Sequence, residues 1–275
     1  MNREMHALFE QKKVCVVVPT YNNAQTLPGV LADLKAYTHL IIVVNDGSTD
    51  NTIEVLNRFH DVDVVSYPKN RGKGFAIRTG FQRAAELGYD YAITIDSDGQ
   101  HYADDLPKFL DKLIHHPHAI IIGARNMDQH DVPGKSSFGN KFSNFWFWIE
   151  TGIKSNDTQS GYRLYPVKAL SQSKFFTRKY EFEIEVLVRA AWSGIEILEI
   201  PVKVFYPEKE KRISHFRPFK DFSRISVLNS ILVTIALLYI KPRDLFRHIK
   251  KKTSGRSSTN LLPTRVNPIG SKQFR

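Results

Sequence analysis

Short, mainly apolar runs at 14–18, 40–44, 62–65, 92–95 and 119–122, broken only by Asp63 and Thr94, punctuate the first half of the chain. Runs this short, without polar alternation, are the mark of strands covered on both faces. The segments between them, 26–37, 49–59, 72–87 and 106–115, place apolar residues at helical spacing. Regular alternation of strand and helix predicts an α/β fold with an open, mostly parallel sheet and helices on both faces. Ligands bind such sheets beyond the carboxyl ends of the strands. Polar clusters occupy those ends here: Pro19-Thr20-Tyr21-Asn22-Asn23, Asn45-Asp46-Gly47-Ser48-Thr49-Asp50 and Asp96-Ser97-Asp98-Gly99-Gln100. The topology is expected to bring all three to one site.

Beyond Gly123 the alternation stops. A stretch rich in Gly, Ser, Asn and aromatic residues runs to about residue 153, followed by a predicted helix at 181–192 and strands at 195–200 and 202–205. Residues 225–240 are apolar apart from Ser226, Asn229, Ser230 and Thr234. The chain is therefore read as a polar lead (1–13), an α/β domain (14–210), a basic loop with an apolar segment (211–240), and a basic tail (241–275) of disorder-prone composition. With 275 residues, 42% of them hydrophobic, there is material for one such core.

Charge is unevenly placed. The formal net charge is +11, but residues 241–275 hold ten Lys or Arg against the single acid Asp244, which leaves only +2 for the rest. No basic groove interleaved with aromatics is present to argue for nucleic acid. A basic tail beside an apolar segment points to an anionic membrane surface instead. The first residues lack the apolar run of a secretory signal, and the one cysteine, Cys15, lies inside an apolar run. A protein of the cytosolic side is expected.

Asp96-x-Asp98-x-Gln100 sets two carboxylates and an amide oxygen at a strand end, the oxygen donors that a hard divalent cation such as Mg²⁺ or Mn²⁺ requires. A solvated Asp-rich turn is the plainer reading of the same residues. An EF-hand loop is excluded, because His101 and Pro107 stand where Gly and Glu are needed. Asp46-Gly47-Ser48-Thr49-Asp50 opens a helix, where exposed N–H groups favour an anion and Ser48 or Thr49 can cap. Arg71-Gly72-Lys73-Gly74 brings a cation and a close backbone toward phosphate, or simply starts a helix flexibly. Gly134-Lys135-Ser136 imitates a Walker loop but has Gln129 where a glycine belongs.

Together these residues resemble the family 2 glycosyltransferases of the GT-A fold, particularly the dolichyl-phosphate mannose and polyprenyl-phosphate glucose synthases. The resemblance spans residues 14–206 and includes a fourth motif, Asp157-Thr158-Gln159-Ser160-Gly161-Tyr162-Arg163, similar to the family's acceptor-side loop. It implies that Pro19, Tyr21, Asp46 and Asp96 hold the nucleotide, with Asn23 and Lys73 beside it, and that Asp98 and Gln100, with Asp96, carry the metal. Lys73 and Arg125 are expected to face phosphate, with Ser160 and Arg163 on the acceptor side. Asn23 stands where these enzymes usually have Glu, which leaves the nucleotide open. Ser214 to Lys220 replaces their Gly-Ser-Lys type loop; His215, Arg217 and Lys220 could meet a lipid phosphate there or form a basic surface loop.

The implied reaction is inverting transfer of a sugar from a nucleoside diphosphate to a lipid. A lipid phosphate attacks without a base, whereas a hydroxyl needs a carboxylate to take its proton. Asp157 is the candidate base, with Glu181 and Glu183 in reserve, unless Asp157 anchors its own loop. Arg163 is expected to bind phosphate or pair with Asp157. A sugar nucleotidyltransferase would need a Gly-rich loop after the first strand, and a non-catalytic nucleotide-sugar binding module would not need Asp96, Asp98 and Gln100. As a helix, 225–240 would reach roughly 24 Å against a hydrocarbon core of roughly 30 Å. An interfacial or re-entrant helix at the cytoplasmic face is therefore expected, with Arg217, Lys220, Arg224 and the basic tail on anionic headgroups.

Overall fold

The computed structural model describes residues 2–126, 134–171, 173–206 and 217–246. The chain divides into two units, Met1–Val233 and Thr234–Arg275. The first holds a seven-stranded sheet: β1 (Val14–Thr20), β2 (Ile41–Asn45), β3 (Asp63–Ser66), β4 (Tyr91–Thr94), β5 (Ile120–Arg125), β6 (Arg163–Pro166) and β7 (Ile197–Val202), in the order β3-β2-β1-β4-β6-β5-β7. All pairings are parallel except those of β6, which runs antiparallel to both β4 and β5. Every residue of β1 is buried, because alternate side chains feed two different cores. Val14, Val16 and Val18 join one apolar cluster with Leu31 and Phe109, whereas Cys15 and Val17 join the other with Ile77 and Leu187.

The helices are α1 (Asn2–Gln11), α2 (Leu27–Lys35), α3 (Thr52–Leu56), α4 (Lys73–Glu86), α5 (Leu106–His115), α6 (Gly134–Thr151), α7 (Val167–Ser171), α8 (Phe182–Trp192) and α9 (Pro218–Ile235). The polar lead is in fact helical. Phe9 of α1 is fully buried in the same cluster as β1, so the fold begins before residue 14. The strands expected at 195–200 and 202–205 form one strand, β7, beyond which Val204 makes only an isolated bridge to His101. The irregular stretch expected after Gly123 contains the 18-residue α6. Its Asn140, Ser143, Phe147 and Glu150 are buried at helical spacing, so tertiary packing overrides a run of weak helix formers.

Glu150 is an unusual member of that buried side. Neither carboxylate oxygen has a hydrogen-bond partner among the described residues, and burial pushes its pKa up to about 8. The folded state keeps a proton that the unfolded chain releases from about pH 4.5 upward, so stability falls as pH rises from there through about 8. Glu150→Gln is expected to abolish this slope and to stabilise the protein by about 2–4 kcal/mol at the alkaline end. Urea midpoints across that pH range test it; parallel curves for parent and variant would refute the assignment.

In the second unit the described residues, 234–246, are helical, with π-helical geometry at Ala236–Ile240. Phe219–Phe246 is long and apolar enough to cross a membrane by length and composition. At 28 residues this helix is roughly 42 Å long. The helix is longer than the apolar run expected at 225–240: it starts before that run and continues through the first basic residues. Most of the tail lies outside the described residues.

Candidate active site

The first two strand-end clusters are stitched to each other. Asn22, at φ +51°, accepts a hydrogen bond from the Thr49 amide at 2.7 Å, and its own N–H donates to Ser48 Oγ at 3.0 Å. Asp50 accepts from the Ala24 amide. Asp46 is buried, and its carboxylate accepts the Arg71 and Gly72 amides at 2.7 and 2.8 Å. Burial raises its pKa, partly offset by those amides. Gly47 adopts φ +68°, and a Cβ there would lie 2.5 Å from the backbone of Lys69 and Asn70. The 69–72 turn thus packs directly on the β2 end, and Asp46 is the anchor that folds it. Pro19 is buried within β1, in register with Val44, while Tyr21 is half-buried just beyond the strand.

The third cluster joins through Asn23, whose side-chain amide donates to Ser97 Oγ at 2.6 Å. Lys73, the first residue of α4, lies 2.8 Å from Asp96 and 3.1 Å from Glu183 of α8. Burial opposes the charge on Lys73, but these carboxylates more than compensate and hold it protonated. The same partnership holds Asp96 below the usual carboxylate range against its burial. A Cβ at Gly161 would stand 2.7 Å from Asp96 Oδ2 and 2.8 Å from Lys73 Nζ, so only glycine leaves room for the pair. Asp98 is pushed up to about 6 by burial and by the charge of Asp96. Burial lowers His101 to about 4, and its Nδ1 has no hydrogen-bond partner among the described residues. Gln100 is half-buried and donates its amide to Asp98.

On the expected acceptor side the structure reassigns two residues. Asp157 is fully buried and accepts five hydrogen bonds: from Arg125 Nε at 2.6 Å, Arg125 Nη2 at 2.9 Å, Asn140 Nδ2 at 2.7 Å, and the Arg125 and Gln159 amides at 3.1 and 3.2 Å. Arg125 and these other donors depress its pKa despite burial. A carboxylate so saturated fits the loop anchor that was the other reading of Asp157. Arg163 does not pair with it. The Arg163 side chain is wholly buried, donating to the Glu183 carbonyl at 2.7 Å, the Thr158 carbonyl at 2.9 Å and the Tyr165 hydroxyl at 3.2 Å. It braces the sheet floor and has no surface to offer a phosphate. Ser160 is likewise buried, with its Oγ accepting the Tyr162 amide. Glu181 precedes α8, and Glu183 is occupied by Lys73.

Arg217 is exposed at the start of α9, its amide donating to Asp221 at 2.7 Å. His215 lies outside the described residues. Sequence reasoning missed the supports on α6: Asn144 Oδ1 accepts the Thr158 amide and hydroxyl at 2.9 and 2.7 Å, and Ser143 accepts the Thr158 hydroxyl at 2.8 Å. It also missed Glu199, which accepts the Asn156 amide and side chain, both at 2.7 Å. The Asn140-x-x-Ser143-Asn144 spacing was the available signal for the first group.

A mostly parallel sheet with Asp46, Lys73, Asp96, Asp98 and Arg125 gathered near its strand ends defines the GT-A class of glycosyltransferase fold. The chain belongs to glycosyl transferase family 2, whose family model matches residues 15–173. It is 29% identical over 219 residues to the UDP-N-acetylglucosamine–dolichyl-phosphate N-acetylglucosaminyltransferase of Methanococcus voltae, covering 72% of this chain and 87% of that one. It is 32% identical over 223 residues to the dolichyl-phosphate beta-glucosyltransferase of Homo sapiens, covering 70% and 67% respectively. Among solved structures, glucosyl-3-phosphoglycerate synthase from Mycobacterium tuberculosis, in complex with Mn²⁺, UDP and phosphoglyceric acid, shares the fold with a TM-score of 0.61 at 20% identity. That match covers 87% of this chain and 82% of the other.

Proposed function

We propose that this glycosyltransferase moves a sugar, with inversion, from a nucleoside diphosphate to a polyprenyl phosphate at the cytoplasmic face of a membrane. The observation that carries the choice of acceptor is the saturation of Asp157. With that carboxylate committed to Arg125 and Asn140, and Glu183 committed to Lys73, the first-choice base and one of its two reserves are occupied, and a phosphate acceptor needs none. Both relatives are named as dolichyl-phosphate glycosyltransferases, which supports this reading.

In this reading the 46–50 and 69–73 turns cradle the nucleotide, with Asp46 acting through the turn it anchors. Lys73 balances Asp96 and sits where a diphosphate would gain a cation, and Arg125, fixed by Asp157, lines the acceptor side. A divalent cation completes the site. Among the described residues no three His, Cys, Asp or Glu form a cation cage. A small divalent ion in phosphoryl chemistry commonly takes only one or two protein carboxylates and fills its shell with phosphate and water. Asp98, a half-buried carboxylate beside a second one, and the unpartnered Nδ1 of His101 fit such a group. When bound, the cation would neutralise the departing diphosphate.

The alternative acceptor, a lipid hydroxyl, would have to use Glu181, whose Oε2 has no hydrogen-bond partner among the described residues, in place of Asp157. The deciding experiment offers UDP- and GDP-sugars with Mg²⁺ or Mn²⁺ to polyprenyl phosphate and to the matching polyprenol. Product on the phosphate alone is expected; product on the polyprenol alone would overturn the reading.

A further inference from the structure

Helix α6 has two contrasting sides. Asn140, Ser143 and Asn144 grip the 157–158 loop. Away from them Phe138, Phe145 and Trp148 are 67%, 51% and 44% exposed. Within 138–151 the only other side chain in the exposed class is Lys141. A helix of a soluble domain carries polar residues on its outer stripe, so an aromatic one marks an interaction surface. The stripe does not end with α6. The Phe142 ring lies 5.1 Å from that of Phe222 on α9, centroid to centroid, and α9 in turn exposes Phe219, Val227 and Ile231.

We propose that the aromatic stripe of α6 is a bilayer-docking surface of the α/β unit, occupied by the headgroup and upper acyl region of the membrane. Two features select lipid over protein as the occupant. The stripe is continuous with α9, the first part of a helix apolar enough to enter a membrane, of whose most apolar stretch only 28% is buried. Its composition is also interfacial: Phe and Trp with exposed Lys141, Lys220 and Arg224 nearby in the same two helices are the residues that settle at an anionic membrane surface. The consequence rests on the lipid-acceptor reading above. One helix touches the membrane on one side and holds the Thr158 loop on the other, so docking presents the acceptor-side loop to a phosphate at headgroup level.

The test uses the full chain and vesicles of equal parts phosphatidylcholine and phosphatidylglycerol, with bromine on the acyl chains. Tryptophan fluorescence should be quenched on vesicle binding, and Trp148→Phe should remove most of the quenching. Phe145→Ser with Trp148→Ser should lower vesicle affinity by about tenfold or more. That double variant should still transfer sugar to a short-chain polyprenyl phosphate in detergent, which verifies its fold. Undiminished quenching in Trp148→Phe, or unchanged vesicle affinity in the double variant, overturns the proposal. So does a dimer in the parent that becomes monomeric in the double variant with vesicle affinity intact, since the stripe would then belong to a second copy. Quenching at Trp148 with no transfer to any polyprenyl phosphate would uphold the docking surface and sink the acceptor assignment separately.

Discussion

Replacing Asp98 by alanine is expected to lower sugar transfer by about 10³-fold or more, with the melting temperature unchanged or slightly raised. The two halves of this expectation have one cause. Asp98 is a half-buried carboxylate next to the charge of Asp96, a position that raises its pKa to about 6 and is only partly offset by the hydrogen bond it accepts from the Gln100 amide. Removing such a group relieves the folded state instead of weakening it. The discomfort is relieved in function if a divalent cation sits against the carboxylate during the reaction. Two readouts separate this from a structural role. Asp98→Ala should lose the thermal upshift that a nucleoside diphosphate with Mn²⁺ gives the parent, and its melting temperature without ligand should not fall. An Asp98→Ala enzyme with parental turnover, or a parent indifferent to excess chelator, would remove the cation from the mechanism.

The second large effect is predicted at Asp157, and it is one of stability. Asp157→Asn keeps the shape but leaves the Arg125 guanidinium, itself largely buried, without its counter-charge. Breaking a buried ion pair from one side typically costs about 3–5 kcal/mol, which for a domain of ordinary stability means unfolding near working temperature. Turnover per folded molecule should fall too, because Arg125 loses its position. The pH-rate profile should keep its shape, since no proton passes through Asp157. An alkaline limb that vanishes in the variant would restore the general-base role and with it a hydroxyl acceptor. Arg125→Lys offers a second route: it preserves charge but not the paired geometry at 2.6 and 2.9 Å, and is expected to recover only part of the lost stability.

How far the sequence reached can be judged from particular residues. The strands from β1 to β5 were legible within a residue or two because each is a short, mainly apolar run, and the polar residues that end them could only fall at the carboxyl rim. Strand β6 was hidden: its four residues, Arg163 to Pro166, include a charge and a proline, and they read as a strand only once β4 and β5 stand on either side. Helix α1 was missed because its few buried residues, Phe9 foremost, are scattered among polar ones. Motif resemblance drew attention to Asp157 and Arg163 but could not tell which arginine meets which carbonyl or carboxylate. That depends on Arg125 arriving from β5, 32 residues away in sequence. The placement of residues at a single strand end was readable, while who neutralises whom across the site was not.

The reversed direction of β6 has a consequence for how such enzymes diversify. The chain leaves the sheet at Arg125 and re-enters at Arg163, and because β6 runs against β5, both points lie at the same rim, with the Gly123 amide bonded to the Tyr162 carbonyl at 2.8 Å. The excursion between them is therefore a cassette with both ends clamped at one edge. Its length can change without sliding the register of any strand, and Asp46, Lys73, Asp96 and Asp98 lie outside it, although its Gly161 packs against Lys73 and Asp96. Grafting the corresponding stretch from a relative is thus a modular operation so long as the glycine at 161 is kept, since that is where the cassette packs on Lys73 and Asp96.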